Sequence, residues 1–491
     1  MHNQRTLALA DKKSQRGIPN RLIISAMLMA GLPALTTTLL AQSSTNKTVG
    51  AVAPVTPTAN VTPTATTQNL LTLLQTAQTF DATYLAAKAQ FEAAQFKVEQ
   101  SKALWRPSIT SEVTHSQSIN DTPFNPSSTR SEVINTTGSL SVQQALFNQA
   151  NAATRSQAEK SLLIAESDLK LAEHDLIARC AQAYFDLLSA KDTLATIQAS
   201  KSAITEQLTL AQRSFEVGTA TIVDTREAQA RLALVTAQEM AASNELRNRQ
   251  AALDALIGQT AITPAPIKTD TASLPSVPSQ TLNDLVQQAR SQHPGVQIAE
   301  ALLEVAKLET DKARAGHLPT LALAGKFTKG PSEILGHTRA GALPKLEGDA
   351  ATQYIGLTLS LPIFTGFSTQ NRVRETLALE SKNQHDLEAT QRRIELDLTQ
   401  AYLGLKSLDS QVAALRSAES ASKVALDAVQ LGYKVGVRVN LDVLNAQSQL
   451  FQTQRDLAKA QYDFLVGQLK LRRAAGTLSM QDVEELTRAL Q

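Results

Sequence analysis

Aromatic side chains make up only 4% of this 491-residue chain. A core built on broad ring contacts is therefore excluded. The abundant Ala, Leu and Gln suit long helices packed on small residues. Cys180 is the only cysteine, so no intrachain disulfide can form. It shares a row with Leu187, Leu194 and Leu208, which gives it a small, buried, apolar role rather than a reactive one. The formal net charge is +2, which argues against a nucleic-acid surface. Neither GxxxxGK[ST] nor GxGxxG occurs, and the seven histidines never take a metal-binding spacing such as HExxH. The sequence thus offers no nucleotide site, no cofactor or metal centre and no catalytic group. Glu173-His174-Asp175 looks like a trio only on paper, because adjacent helical residues point in different directions. Solvated helix surface is expected there.

The N-terminus carries Arg5, Lys12, Lys13, Arg16 and Arg21 before the apolar run 22–41. A basic n-region, an apolar h-region and a small residue at the end predict a secretory signal over 1–41. The run is nearly long enough for a membrane anchor, but Pro33 and the three threonines after it favour the signal. Removing its five basic and one acidic residues from a chain of net charge +2 leaves −2. No cysteine lies near the cleavage region, which excludes a lipid-anchored N-terminus. Residues 42–67, rich in Pro and Thr, read as a disordered linker.

Beyond the linker the chain is written twice. "FEVGTATIVDTREAQ" (215–229) and "YKVGVRVNLDVLNAQ" (433–447) share aromatic, x, Val, Gly, five residues, Asp, three residues, Ala, Gln, at an offset of 218. Ala183-Tyr184 matches Ala401-Tyr402 at the same offset, and Leu146-Phe147 matches Ile363-Phe364 at 217. Leu70 and Leu282 open matching stretches, and Pro107 matches Pro319, both at 212. The constant order defines two large repeats, 68–279 and 280–491.

Each repeat has one layout. Helices are predicted over 68–104 and 280–315, stopped by Pro107 and Pro319. Strands follow at about 108–115 and 138–147, and at about 319–328 and 353–364, from period-2 alternation such as Ile355, Leu357, Leu359, Leu361 and Ile363. The polar stretches 114–137 and 329–352 read as loops between them. Then come long helices, 148–215 and 367–433, the first inside a segment (139–217) without Gly or Pro. Apolar or small residues recur every seven positions: Leu162, Leu169, Leu176, Ala183, Ala190, Ile197, Ile204 and Ala211, then Leu387, Ile394, Ala401, Leu408, Leu415, Ser422 and Val429. A strict seven-residue repeat predicts left-handed supercoiling. Gly218 and Gly436 suit the tight turns that send the chain back, since glycine accepts positive φ. Helices 224–257 and 440–475 follow, closed by Gly258 and Gly476. The stretches 258–279 and 476–491 are left as connecting or tail segments.

One apolar and one polar strand face fits a half-buried sheet or a membrane barrel. The helices are committed to their own seams and cannot cover a sheet. Four strands cannot close a barrel, since bacterial ones use at least about 8, and lipid does not tolerate an open edge. In a membrane, several chains would have to share one barrel. The rival reading is a periplasmic coiled-coil scaffold or adaptor without a pore, which has no need of four such strands.

The signal, the duplicated layout and the VG-x5-D turn resemble the TolC family of outer-membrane efflux proteins, over residues ~68 to 491. The matching segments include "GHLPTLAL", "LSLPIFTG", "GYKVGVRVNLDVL" and "YDFLVGQLKLRRAAGTL". The resemblance implies an α+β fold: a homotrimer whose β-barrel strands and long α-helical barrel come from every protomer. It implies an equatorial band made from 258–279 and the tail 476–491. It implies a non-enzymatic exit duct in the outer membrane of a Gram-negative bacterium, reaching into the periplasm. The partners would be outer-membrane lipid, a periplasmic adaptor (membrane fusion) protein and an inner-membrane transporter of RND, ABC or MFS type. The cargo would be drugs, toxins or proteins. Gly218 and Gly436 would then lie at periplasmic hairpin tips around a gate. Position by position, Tyr433 matches the family's gate tyrosine, Arg438 its tethering arginine, Asp224 the arginine's carboxylate partner and Asp442 an inner acidic constriction. Val223 and Asn445 depart from the pattern, standing where it has a threonine and a second constriction aspartate. Weaker cation preference and an Arg438–Asp224 latch are the expectations.

Overall fold

The computed structural model describes residues 67–124, 127–260, 262–265, 280–338 and 341–490. The expected signal, nearly all of the Pro/Thr-rich linker and most of 258–279 lie outside them.

The first helical stretch of each repeat is two helices, not one. In the first repeat, α1 (Leu70–Phe80) and α2 (Ala82–Ala103) meet at Asp81. Asp81 ends α1 and caps α2, accepting the Tyr84 N–H at 2.8 Å. In the second, α5 (Leu282–Gln292) and α6 (Pro294–Arg314) meet at His293. Pro294 cannot donate the backbone bond that would continue α5, but is well placed at the first position of α6.

Antiparallel strands follow. β2 (Ser108–Phe124) pairs with β3 (Ser127–Phe147), which pairs with β5 (Thr320–Thr338), which pairs with β7 (Leu346–Ser360). β6 (Gly341–Ala342) closes on the end of β5. The strands run far beyond the apolar alternation, and the presumed loops 114–137 and 329–352 are mostly ladder. Main-chain bonds hold a ladder whatever the side chains are, so Ser, Thr and Asn extend it without leaving a period-2 signal. The register aligns the apolar residues across the sheet. Ile109, Val142, Gly325 and Ile355 share one rung, and Leu140 faces Phe327. Among the described residues, β2 and β7 each have a neighbour on one side only.

The long helices are α3 (Gln149–Glu216) and α7 (Ser368–Lys434). The 68 residues of α3 make a rod of about 100 Å at ~1.5 Å per residue. Each folds back through its turn into α4 (Ile222–Ile257) or α8 (Asn440–Ala475), which end on Gly258 (φ 73°) and Gly476 (φ 76°). The seven-residue series holds on α3 from Leu176 to Ala211, with Ala183 only partly buried. On α7 the burial shifts after Ile394 to the companion column Leu398, Leu405, Val412 and Leu426, while Ala401, Leu408 and Leu415 are only partly buried.

The thickest core lies midway along α3, where Leu73 and Leu74 of α1, Phe185 of α3, Leu253 near the end of α4 and Leu465 of α8 come together. The tail adds a further helix, α9 (Met480–Leu490), whose Val483 and Leu486 enter the same core. The short parallel pair β1 (Thr67–Gln68) and β4 (Thr263–Pro264) lies on the same belt, beside Tyr184, whose hydroxyl donates to the Ala265 carbonyl at 3.1 Å. Cys180 is buried in this core, and burial pushes its thiol up to about 12, as expected for an inert group.

The Glu173–Asp175 stretch is not the solvated surface expected. His174 is buried, and Asp175 accepts from Arg179 Nε (2.6 Å) and from Arg473 of α8 (3.0 Å). Arg179 also grips Asp81 with both Nη atoms, at 2.9 and 3.2 Å, which locks the α1–α2 joint onto α3. His174 and Asp175 do point apart, so they form no catalytic trio.

Candidate functional site

The repeated sequence folds into a repeated turn. At the first tip, Val217 N–H donates to Arg213 O, Gly218 to Phe215 O and Thr219 to Ser214 O, with Gly218 at φ 78°. At the second, Val435 N–H donates to Leu431 O, Gly436 to Tyr433 O and Val437 to Gly432 O, with Gly436 at φ 79°. A β-carbon at either glycine would force the left-handed backbone on a residue that rarely adopts it.

The helices that leave the turns begin differently. Thr221 and Asp224 form a reciprocal capping box at the start of α4: Asp224 N–H donates to Thr221 Oγ1, while Asp224 Oδ2 accepts from Thr221 N–H (2.9 Å) and Oγ1 (2.7 Å). The matching cap of α8 is Val439, whose side chain has no hydrogen-bonding group to offer. Asp442, left without a box, pairs with Arg438 one turn away at 3.6 Å, across side chains 36% and 58% exposed.

Within the single chain, the expected Arg438–Asp224 contact is not found among the described residues. Each group is satisfied within its own hairpin, because a partner three or four residues away costs little ordering entropy. The hairpins are joined by other residues. Asn440, 1% exposed, donates Nδ2 to the Asp224 carbonyl at 3.2 Å and accepts from Gln207 Nε2 of α3. Arg231 of α4 donates Nη2 to Asn445 Oδ1 of α8 at 2.8 Å. Tyr433 packs against the Leu426, Val443 and Leu450 cluster within the second hairpin. Gln207, Arg231 and Asn440 were invisible as site residues in the sequence. Only the buried polar character of Asn440 marks it, and that needs the packed seam.

This seam is polar and incompletely satisfied. Thr225 Oγ1 and Gln447 Oε1 are buried without a partner among the described residues. Such groups cost free energy while buried and recover water when the seam opens.

At the other end of the molecule nothing among the described residues covers the sheet. Ile355, Leu357 and Leu359 of β7 are exposed, Ile355 to 81%. No described helix is long and apolar enough to cross a membrane. An apolar-faced sheet with two unpaired edges, standing on two helices of about 100 Å, defines a class: subunits of envelope-spanning channels that share one barrel between chains. The outer membrane efflux protein family matches residues 73–259 and 285–477, one match for each repeat, and this chain belongs to it. It is 30% identical over 428 residues to the outer membrane protein TolC of Vibrio cholerae, covering 86% of this chain and 94% of that one. It is 28% identical over 349 residues to the alkaline protease secretion protein AprF of Pseudomonas aeruginosa, covering 70% of each. Its fold matches the crystal structure of the outer membrane protein VceC of Vibrio cholerae, with a TM-score of 0.65 at 20% identity, over 83% of this chain and 96% of that one. The chain is an outer-membrane protein reaching into the periplasm, an exit duct for efflux and type I secretion.

Proposed function

We propose that three copies of this chain form one passive duct, with four strands of each completing a shared twelve-stranded barrel and its two hairpins lining the periplasmic tunnel. The observation that carries this reading is the uncovered sheet: its apolar face and two open edges require lipid and further strands at once. The duct joins a periplasmic adaptor and an inner-membrane transporter of RND, ABC or MFS type. The transporter supplies the energy and chooses the cargo, drugs and toxins or secreted proteins.

The hairpin tips form the aperture. Asp224, Tyr433, Arg438 and Asp442 shape it, and the seam through Asn440, Gln207, Arg231 and Asn445 holds the second hairpin against the first. Adaptor docking exchanges those bonds for its own and lets the tips part. The Arg438–Asp442 pair, exposed and local, contributes at most ~1 kcal/mol. The buried Asn440 node contributes more, because its removal also strands Gln207. Single-channel recording in planar bilayers tests the arrangement. Asn440→Ala is expected to raise conductance more than Arg438→Ser. Equal, unchanged conductance in both variants would remove the seam from the gate.

A further inference from the structure

A cavity of about 430 Å³ lies beside the tip seam, walled by α3, α4 and α8. Its polar lining includes Thr196 and Ser200 of α3, Arg231 and Gln238 of α4, and Ser448 and Arg455 of α8. No lining residue is acidic, so the two arginines stand beside a space lined otherwise by hydroxyls, amides and apolar groups. Neither arginine forms an ion pair among the described residues. Arg231 donates to the Asn445 amide oxygen at 2.8 Å, and Arg455 Nη2 donates to the Gln452 amide oxygen. Asp456, next in the chain, is engaged by Gln452 Nε2 at 2.8 and 3.0 Å. Arg455 Nε is buried with no hydrogen-bond partner among the described residues. A buried donor on a permanent charge is costly to leave unpaired, and the group that satisfies it best is an anionic oxygen.

We propose that this cavity is a binding site for a small multivalent oxyanion, a di- or tricarboxylate being the chemistry that fits best. One carboxylate meets the Arg455 fork and a second meets Arg231, with the Ser200 and Ser448 hydroxyls able to donate to the remaining oxygens. The ligand touches α4 of one hairpin and α8 of the other, so it clamps the seam. Under the aperture reading above, on which this consequence rests, the ligand binds the closed arrangement and is released when the hairpins part. At ten times its dissociation constant it would raise the closed-to-open ratio about 11-fold.

Titration calorimetry on the purified full chain in detergent tests the site, with citrate as probe and sodium chloride at matched ionic strength as reference. Saturable citrate binding is expected. Arg231→Gln and Arg455→Gln should each weaken it at least about tenfold. Arg392→Gln, on the exposed face of α7, should leave it unchanged. Arg455→Lys, which keeps the charge but loses the fork, should give an intermediate loss and guards against misfolding of the glutamine variant. Citrate heats no different from chloride, or binding indifferent to both arginines, would overturn the proposal. Bilayer conductance with citrate on the tip side reads the second step. If citrate binds but conductance does not fall, the site stands and the aperture reading fails.

Discussion

Asn440 and His174 show how much a single buried polar side chain can govern. Asn440 is a link between hairpins because it has no room to turn toward water. His174, 7% exposed, has Nδ1 without a partner among the described residues, and burial, then the nearby His293 and Arg473, holds its imidazole at about 4. The folded chain therefore binds fewer protons here than the unfolded chain between the ordinary value of 6.5 and about 4. Stability is full above that window and falls as pH drops through it, by at most about 3 kcal/mol. Asp81 acts at lower pH: the hydrogen bonds from Arg179 hold its carboxyl below the usual range, so its contribution is present above about 3.8 and is lost as pH falls through the folded value. Urea unfolding followed from pH 7 to pH 4.5 should show a declining midpoint, and His174→Gln should flatten that decline. A parallel decline in the variant would place the acid lability elsewhere. At this scale the sequence placed charges that could pair across the hairpins, Arg438 and Asp224, but could not show that within the chain Asp442 and Thr221 are nearer at hand.

At the scale of elements, the sequence was most legible where a periodic signal was long. The bounds of α3, α4, α7 and α8 follow from the heptads and from the glycines at their ends, since positive φ at Gly218, Gly258, Gly436 and Gly476 is a backbone demand that other residues rarely meet. The joints at Asp81 and His293 were missed because each breaks a helix for one residue without ending its apolar pattern. The strands were cut short because their outer halves are mostly polar, and scattered residues such as Ile119, Ile134 and Ile334 leave no period-2 run. At that end Glu333 and Glu347 stand directly opposite each other, and Lys345 pairs with both. The unequal caps of α4 and α8 give an element-scale prediction. Val439→Thr should rebuild at Asp442 the box that Thr221 makes with Asp224, adding about 1 kcal/mol to the first turn of α8. Amide hydrogen exchange there should slow by about fivefold. Unaltered exchange would show that Asp442 stays with Arg438.

For the whole molecule, the sheet and the rods answer two different solvents. The β3 strand of 21 residues spans about 70 Å at ~3.4 Å per residue, more than an apolar band of about 25 Å needs even when tilted, so the barrel projects beyond lipid. The lipid-facing row holds Leu359, and the alternate row holds Thr358. Leu359→Arg should cost about 2–4 kcal/mol in lipid and deplete heat-resistant oligomer from outer-membrane fractions, whereas Thr358→Arg should be tolerated. Equal loss in both would contradict the assignment of faces. The mismatch between Thr221 and Val439 carries a last consequence. Two arms with the same bend are not interchangeable when only one is fastened at its root. Under the aperture reading proposed above, the hairpin whose return helix begins with threonine would serve as the fixed post of a doorway. The one whose return helix begins with valine would shed its first coil more cheaply and be the leaf that swings.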